Sequence, residues 1–323
     1  MKKKEFIAEL NDLGKRSEKF IFVIDYEFRK PLVFKLDEAE KKGVYFDIKG
    51  TTNWKYSKNI DHDFQLNLKP ISRTKYFESF DLVIRHILHG DSYLTNLTFP
   101  TQIERNPSLD AIFNVAKAPY KLLYKDQFTL FSPECFISIN NGKIRSYPMK
   151  GTIDASVENA EMKIMTDKKE IYEHNTIVDL IRNDLSQVAE NVRVTKFRYI
   201  DRIVSHEREL LQVSSEIEGD LDSDWPSVTG YILSRLLPAG SISGAPKKKT
   251  MEIIKNAEKQ KRGYYTGIFG IFDGKNLDCA VNIRYVEKIG SKYYFRSGGG
   301  ITALSNPDSE YLEMINKVNV PLG

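Results

Sequence analysis

Tyr265-Thr266-Gly267-Ile268-Phe269-Gly270-Ile271-Phe272-Asp273-Gly274-Lys275-Asn276-Leu277-Asp278-Cys279-Ala280-Val281-Asn282-Ile283-Arg284 reads as two strands about one turn. Ile, Phe, Val and Tyr crowd the flanks, and Asp273-Gly274 is a tight-hairpin signal. A second turn, Gly290-Ser291, leads through Lys292–Ser297 into Gly298-Gly299-Gly300, so residues 263–300 read as a meander. With two-residue turns, Tyr265 lies diagonal to Arg284 on one face, and Arg284 opposes Ser297 beside Gly298. A phenol, a guanidinium and a glycine run then meet at one end. Arginine grips a carboxylate through two parallel bonds, and glycines let the backbone approach and present N–H donors. Such an end is built for a carboxylate.

Upstream, Asn141-Gly142 marks another two-residue hairpin, between Ile137–Asn140 and Lys143–Tyr147. Its register sets Pro133 opposite Lys150, with Glu134 alongside, bringing a carboxyl group and an amine to the same open end. The first 150 residues read mostly as short strands and turns, with a helix around Tyr76–His89. Residues 155–190 read as helical, because Ile164, Ile171, Ile177, Val178 and Ile181 recur at helical spacing with no Pro or Gly between them. Lys247–Gln260 opens after Pro246 and stops before Gly263, and a last helix covers Pro307–Val318. Long strand regions beside separate helices predict an α+β fold.

Two carboxylate pairs, Glu170/Glu173 and Glu310/Glu313, are each three residues apart on an expected helix and so share a face. One such pair is ordinarily a solvated face. Two pairs near a carboxylate-binding end suit Mg²⁺, which takes oxygen ligands and completes its shell with water and substrate. No His/Cys spacing suggests zinc, and His86, His89, His174 and His206 read as incidental. Gly240-Ser241-Ile242-Ser243-Gly244-Ala245-Pro246-Lys247 precedes a helix and offers N–H groups to an anion. It is not a nucleotide-binding loop, since Ala245-Pro246 interrupts the required pattern.

The formal charge of +4 over 323 residues is mild, and the lysine runs are short, which argues against a nucleic-acid binder. Two cysteines, Cys135 and Cys279, suit a reducing compartment. Met1-Lys2-Lys3-Lys4 is charged, but Glu5, Glu9, Asn11 and Asp12 interrupt any apolar segment after it. No run is long enough to span a bilayer. The expectation is a cytoplasmic protein with no nucleic-acid or membrane partner.

Several ordered segments resemble the chorismate-utilising enzymes, the family of the anthranilate, aminodeoxychorismate and isochorismate synthases. They are Gly90–Thr98, Ser132-Pro133-Glu134, Pro148-Met149-Lys150-Gly151-Thr152, Glu173–Asp184, Pro238–Lys247, Arg262–Gly267, Asn282-Ile283-Arg284 and Ser297–Glu313. The resemblance implies two large packed antiparallel β-sheets flanked by helices. It also implies one chorismate-binding domain over residues 1–323, with a short variable part at 1–77 and the family core at 78–323.

For function, the resemblance implies chorismate as substrate and Mg²⁺ held by Glu173 and Glu313, with Glu170 and Glu310 in support. Substrate contacts fall to Tyr265, Arg284, Gly298, Gly299, Gly300, Ser243, Gly244 and Lys317, and acid catalysis to Glu134. Lys150 discriminates within the family: aminodeoxychorismate synthases carry Lys at this place, anthranilate and isochorismate synthases Ala. It implies nucleophilic catalysis of C4 amination for p-aminobenzoate and folate synthesis. Two positions depart from the pattern. Gln212 stands where anthranilate synthases have a His that assists pyruvate elimination, and Tyr285 stands where a Thr usually follows the strand Arg. The Leu-Leu-Glu-Ser tryptophan-binding motif of longer relatives is missing, so no tryptophan site is expected. With no credible glutaminase centre in the chain, ammonia would come from a separate glutamine amidotransferase subunit.

Overall fold

The computed structural model describes residues 1–57, 66–105, 108–204 and 209–321; His206 lies outside them. Two nine-stranded sheets carry the described strands, and their pairings are antiparallel. The first runs in the order Met149–Asp154, Glu209–Asp220, Lys143–Ser146, Cys135–Asn140, Leu277–Val281, Ile268–Phe272, Phe20–Ile24, Leu32–Lys35. Glu190–Val204 pairs along Glu209–Asp220. The second runs Gly244–Ala245, Leu94–Arg105, Lys292–Ile301, Tyr285–Ile289, Phe128–Ser132, Tyr120–Tyr124, Val44–Ile48, Thr51–Thr52, with Asn67–Lys69 pairing along Leu94–Arg105.

Strand periodicity explains the layering. Phe20–Ile24 is apolar at every position, and successive side chains point to opposite faces. Phe20, Phe22 and Ile24 pack with Phe6, Leu10, Ile177, Ile181, Ile232 and Leu236 from helices Lys3–Lys15, Lys168–Leu185 and Thr229–Leu236. Ile21 and Val23 face the second sheet and meet Phe46, Leu122, Leu130 and Tyr285. The far side of the second sheet is covered by helices Arg73–Leu88, Lys247–Glu258 and Pro307–Asn316 through Tyr76, Phe80, Ile253 and Met314. The result is the expected α+β pair of packed sheets, helix-covered on both outer faces. Among the described residues no helix is long and apolar enough to cross a membrane.

Three expectations need correction. The region 155–190 is not one helix: Ala160–Thr166 ends at Asp167, which takes an extended backbone and whose side-chain carboxylate caps Lys168–Leu185 by accepting from the Glu170 amide. Periodicity ran through a residue type that favours the N-cap. The Asn141-Gly142 register is correct as far as Arg145↔Ser138, but Lys150 does not oppose Pro133. The chain turns away at Tyr147-Pro148, and Lys150 pairs with Val213 instead. The Asp273-Gly274 turn spans four residues, with the Asp273 carboxylate accepting from the amides of Lys275 and Asn276. Phe272 therefore opposes Leu277, a register that keeps the facing parity but differs from a two-residue turn. The Gly290-Ser291 turn is as expected, with Ile289 opposite Lys292.

Candidate active site

A cavity of about 160 Å³ opens where the glycine run of Lys292–Ile301 meets the loops that follow the inner strands. Glu134, Lys150, Tyr265, Arg284, Gly298, Gly299, Gly300 and Lys317 all line it. Residues drawn from six separate segments thus line one cavity, although the local geometry differs from the hairpin arithmetic. Tyr265 and Arg284 come from loops beyond the paired strands, where Arg284 takes a left-handed backbone with φ of 52°. That conformation is uncommon for a side-chain-bearing residue and re-aims the guanidinium. Its Nη1 donates to the Lys317 carbonyl at 2.9 Å.

Glu134 accepts a hydrogen bond from the Ser241 hydroxyl at 2.7 Å. Burial pushes its pKa above the ordinary carboxyl range, while Ser241, Lys150 and Lys317 pull the other way. A carboxyl group whose pKa is raised by burial, in the same cavity as an amine, is suited to proton donation. Burial likewise pushes the Tyr265 phenol up to about 12, so at neutral pH it is a hydrogen-bond donor. Lys150 Nζ lies 3.2 Å from Glu173 Oε2, and Lys317 Nζ lies 2.6 Å from Glu313 Oε1 and 3.0 Å from the Gly298 carbonyl.

Both carboxylate pairs start helices. Glu170 is in the first turn of Lys168–Leu185, and Glu310 in that of Pro307–Asn316, whose Asn306 cap accepts from the amides of Asp308 and Ser309. Helix N-termini offset part of the cost of gathering acidic groups. A methyl group placed on Gly299 would lie 3.2 Å from Glu310 Oε2 and 3.4 Å from Glu313 Oε1. One on Gly300 would lie 3.6 Å from Lys150 Nζ and 3.8 Å from Glu173 Oε2, and one on Gly151 3.2 Å from Glu170 Oε2. The missing side chains are what let the carboxylates reach the glycine strand. Hard oxygen donors of this kind fit a divalent cation such as Mg²⁺. The side-chain nitrogens of Lys150 and Lys317 lie against Glu173 and Glu313 instead, and among the described residues no group of three His, Cys, Asp or Glu is already gathered as a metal site.

Two of the expected substrate contacts are placed elsewhere. The Ser243 hydroxyl is buried and donates to the Ala239 carbonyl at 2.9 Å. Gly244 pairs with Thr95, and a methyl there would sit 1.9 Å from the Leu94 carbonyl, so its role is close packing. Ser241, two residues earlier, faces the cavity in their place. Asn96 and Arg296 also line it and were missed from the sequence. Asn96 Oδ1 is buried with no hydrogen-bond partner among the described residues, an acceptor held ready at the wall. The Gly290-Ser291 register, which places Arg296 opposite Tyr285, was the available signal for Arg296.

Comparison with known proteins places the chain in a family. The family model for chorismate binding enzymes matches residues 4–323. Over 318 residues the chain is 52% identical to an "Uncharacterized PabA-like protein" of Haemophilus influenzae, spanning 98% of this chain and 96% of that one. It is 31% identical over 265 residues to aminodeoxychorismate synthase component 1 of Salmonella typhimurium, covering 77% of this chain and 57% of that protein. The crystal structure of anthranilate synthase component I from Streptococcus pneumoniae TIGR4 matches with a TM-score of 0.67 at 26% identity, over 81% of this chain and 60% of that one. The chain accordingly belongs to the chorismate binding enzymes, as a chorismate-utilising member of the PabA and anthranilate synthase component I type.

Proposed function

We propose that this chain aminates chorismate at C4, forming 4-amino-4-deoxychorismate as an aminodeoxychorismate synthase component I. The observation that carries this reading is Lys150 lining the same cavity as Glu134, a buried carboxyl group whose pKa is raised. The anionic substrate meets Arg284, Lys317, the Tyr265 hydroxyl and the Gly298–Gly300 backbone, which orient its enolpyruvyl carboxylate. Lys150, as a free amine, forms a bond to C2; the ring double bond shifts, and the C4 hydroxyl leaves as water with the proton of Glu134. Ammonia then bonds to C4, the double bond shifts back, and the C2–Lys150 bond breaks. Lys150 leaves as the free amine, a proton from the new C4 ammonium returns to the Glu134 carboxylate, and the balance is chorismate plus ammonia giving aminodeoxychorismate plus water.

Glu173 and Glu313, supported by Glu170 and Glu310, are the residues that would hold Mg²⁺, which when bound supplies positive charge to the ring carboxylate. The ammonia source is proposed to be a separate glutamine amidotransferase subunit. Gln212 supports retention of the enolpyruvyl group: its side chain, which donates to Thr152 Oγ1 at 3.4 Å, is an amide that cannot take up a proton as a His would.

Incubation with chorismate, Mg²⁺ and a large excess of ammonium across a series of pH values from neutral upward, followed by mass spectrometry, tests the reading. Aminodeoxychorismate is the expected product. Anthranilate with pyruvate, or unchanged chorismate, overturns it.

A further inference from the structure

Arg296 is a buried guanidinium on the wall of the cavity, 8% exposed. It stands opposite Tyr285, at the position where the family's usual Thr is replaced. Its Nε donates to Glu287 Oε1 at 2.5 Å, and Glu287 lies two residues beyond Tyr285 on the same strand face. The same carboxylate faces the Tyr285 phenol, which is itself buried. Tyr285 packs against Tyr265, with ring centroids 6.0 Å apart, so this group is continuous with the substrate-facing phenol.

Arginine has five N–H donors, and the bond to Glu287 uses only the one on Nε. The terminal Nη1 and Nη2 groups hydrogen-bond to no described residue, yet the side chain borders the cavity. Both nitrogens stay open to the cavity, where they can donate to the oxygens of a ligand. Glu287 fixes the plane of the guanidinium and offsets its charge, leaving an end-on fork of matching geometry for a carboxylate. We propose that Arg296, aimed by Glu287, is a second carboxylate-gripping residue of the substrate cavity, acting beside Arg284 on the dicarboxylate. This rests on the chorismate reading above and assigns to Arg296 the contact that the usual Thr leaves vacant when Tyr285 takes its place.

Chorismate affinity measured by calorimetry without ammonia, together with KM and kcat, tests the assignment in the full chain. Arg296→Gln should raise Kd and KM by roughly 10- to 100-fold, the scale of one charged hydrogen-bonded contact, with a smaller change in kcat. Arg296→Lys should recover part of the loss, and Glu287→Gln should give a smaller rise because it only frees the fork to move. A folded Arg296→Gln protein with wild-type Kd and KM overturns the proposal. Should that variant fail to fold, an unchanged Kd in Arg296→Lys, which keeps the charge but loses the fork, does the same. A wild-type chain that binds no chorismate removes the substrate reading itself, and the inference with it. A wild type that binds while the variants bind equally well removes only the role of Arg296.

Discussion

Lys150 Nζ lies 3.2 Å from Glu173 Oε2, so the amine at the cavity is partnered by a carboxylate of the helix Lys168–Leu185 and not by the hairpin that carries Glu134. The pairing joins the proposed nucleophile to a proposed metal ligand, and a cation taken up by Glu173 would compete directly with the lysine. Removing the amine should therefore affect chemistry more than structure. Lys150→Ala is expected to lose most formation of aminodeoxychorismate while still binding chorismate. Lys150→Arg, which keeps the positive charge, should be equally inactive because guanidinium is a poor nucleophile. Product analysis by mass spectrometry beside a binding titration checks both. Substantial turnover by either variant would remove Lys150 from the covalent step.

The second prediction concerns pH. Glu134 must be protonated to release the C4 hydroxyl as water, and burial raises its pKa. Activity should therefore fall as pH climbs through that raised value, giving the alkaline limb of the kcat/KM profile. The Ser241 hydroxyl donates to the charged form and so lowers this pKa. Ser241→Ala removes that bond, and the alkaline limb should move to higher pH. A limb that stays put or moves lower contradicts the assignment. Glu134→Gln should cost about 10²- to 10⁴-fold in kcat, as expected for a lost general acid.

The inner strands were legible because Phe20–Ile24 and Ile268–Phe272 are apolar throughout, and the helix ends at Pro246 and Pro307 carry clear start signals. The site was legible as a set of residues and less so as geometry. A turn dipeptide sets the parity of a hairpin, yet it cannot report that Asp273 closes four residues in place of two. Nor can it report that Pro148 sends Lys150 to a different partner strand. Ser243 was named over Ser241 because a loop sequence does not say which hydroxyl turns inward; the short helix Gly240–Ser243 decides that. Arg296 needed its register neighbour Tyr285 and the cross-strand Glu287 to be seen together.

The glycine run separates packing from ligand binding. A methyl on Gly298 would lie 2.2 Å from the Leu97 carbonyl and 2.7 Å from Thr98 Cα, backbone atoms of the paired strand that cannot move aside. Gly298→Ala should destabilise the protein by about 3 kcal/mol, seen in denaturant unfolding. On Gly299 the neighbours are the ends of Glu310 and Glu313 at 3.2 and 3.4 Å, which can swing away. Gly299→Ala should keep near wild-type stability but require several-fold more Mg²⁺ for half-maximal activity. Equal effects of the two substitutions on stability would contradict this division.

The last prediction concerns what holds the cavity in shape. Arg262 is buried and forms paired bonds to Glu258, Nη2 to Oε1 at 2.6 Å and Nε to Oε2 at 3.0 Å. It also donates to the carbonyls of Asn96 and Ile242, both cavity-lining residues, at 2.7 and 3.1 Å. Glu258 in turn accepts from the amide and hydroxyl of Thr98, which pairs with Gly298. One ion pair thus ties the helix Lys247–Glu258, the short helix Gly240–Ser243 and the glycine strand to a single point. Removing either partner leaves the other as an uncompensated buried charge, which costs about 3–5 kcal/mol. Glu258→Ala or Arg262→Ala should therefore lower unfolding stability by that amount and weaken chorismate binding with it. Replacing both by apolar residues of similar volume should recover much of the stability, because the stranded charge is gone. It should not restore binding, since the carbonyls of Asn96 and Ile242 lose their donor. Unfolding curves and chorismate titrations on the two single variants and the double variant separate these terms, and a double variant with restored binding would show that the pair does not position the cavity.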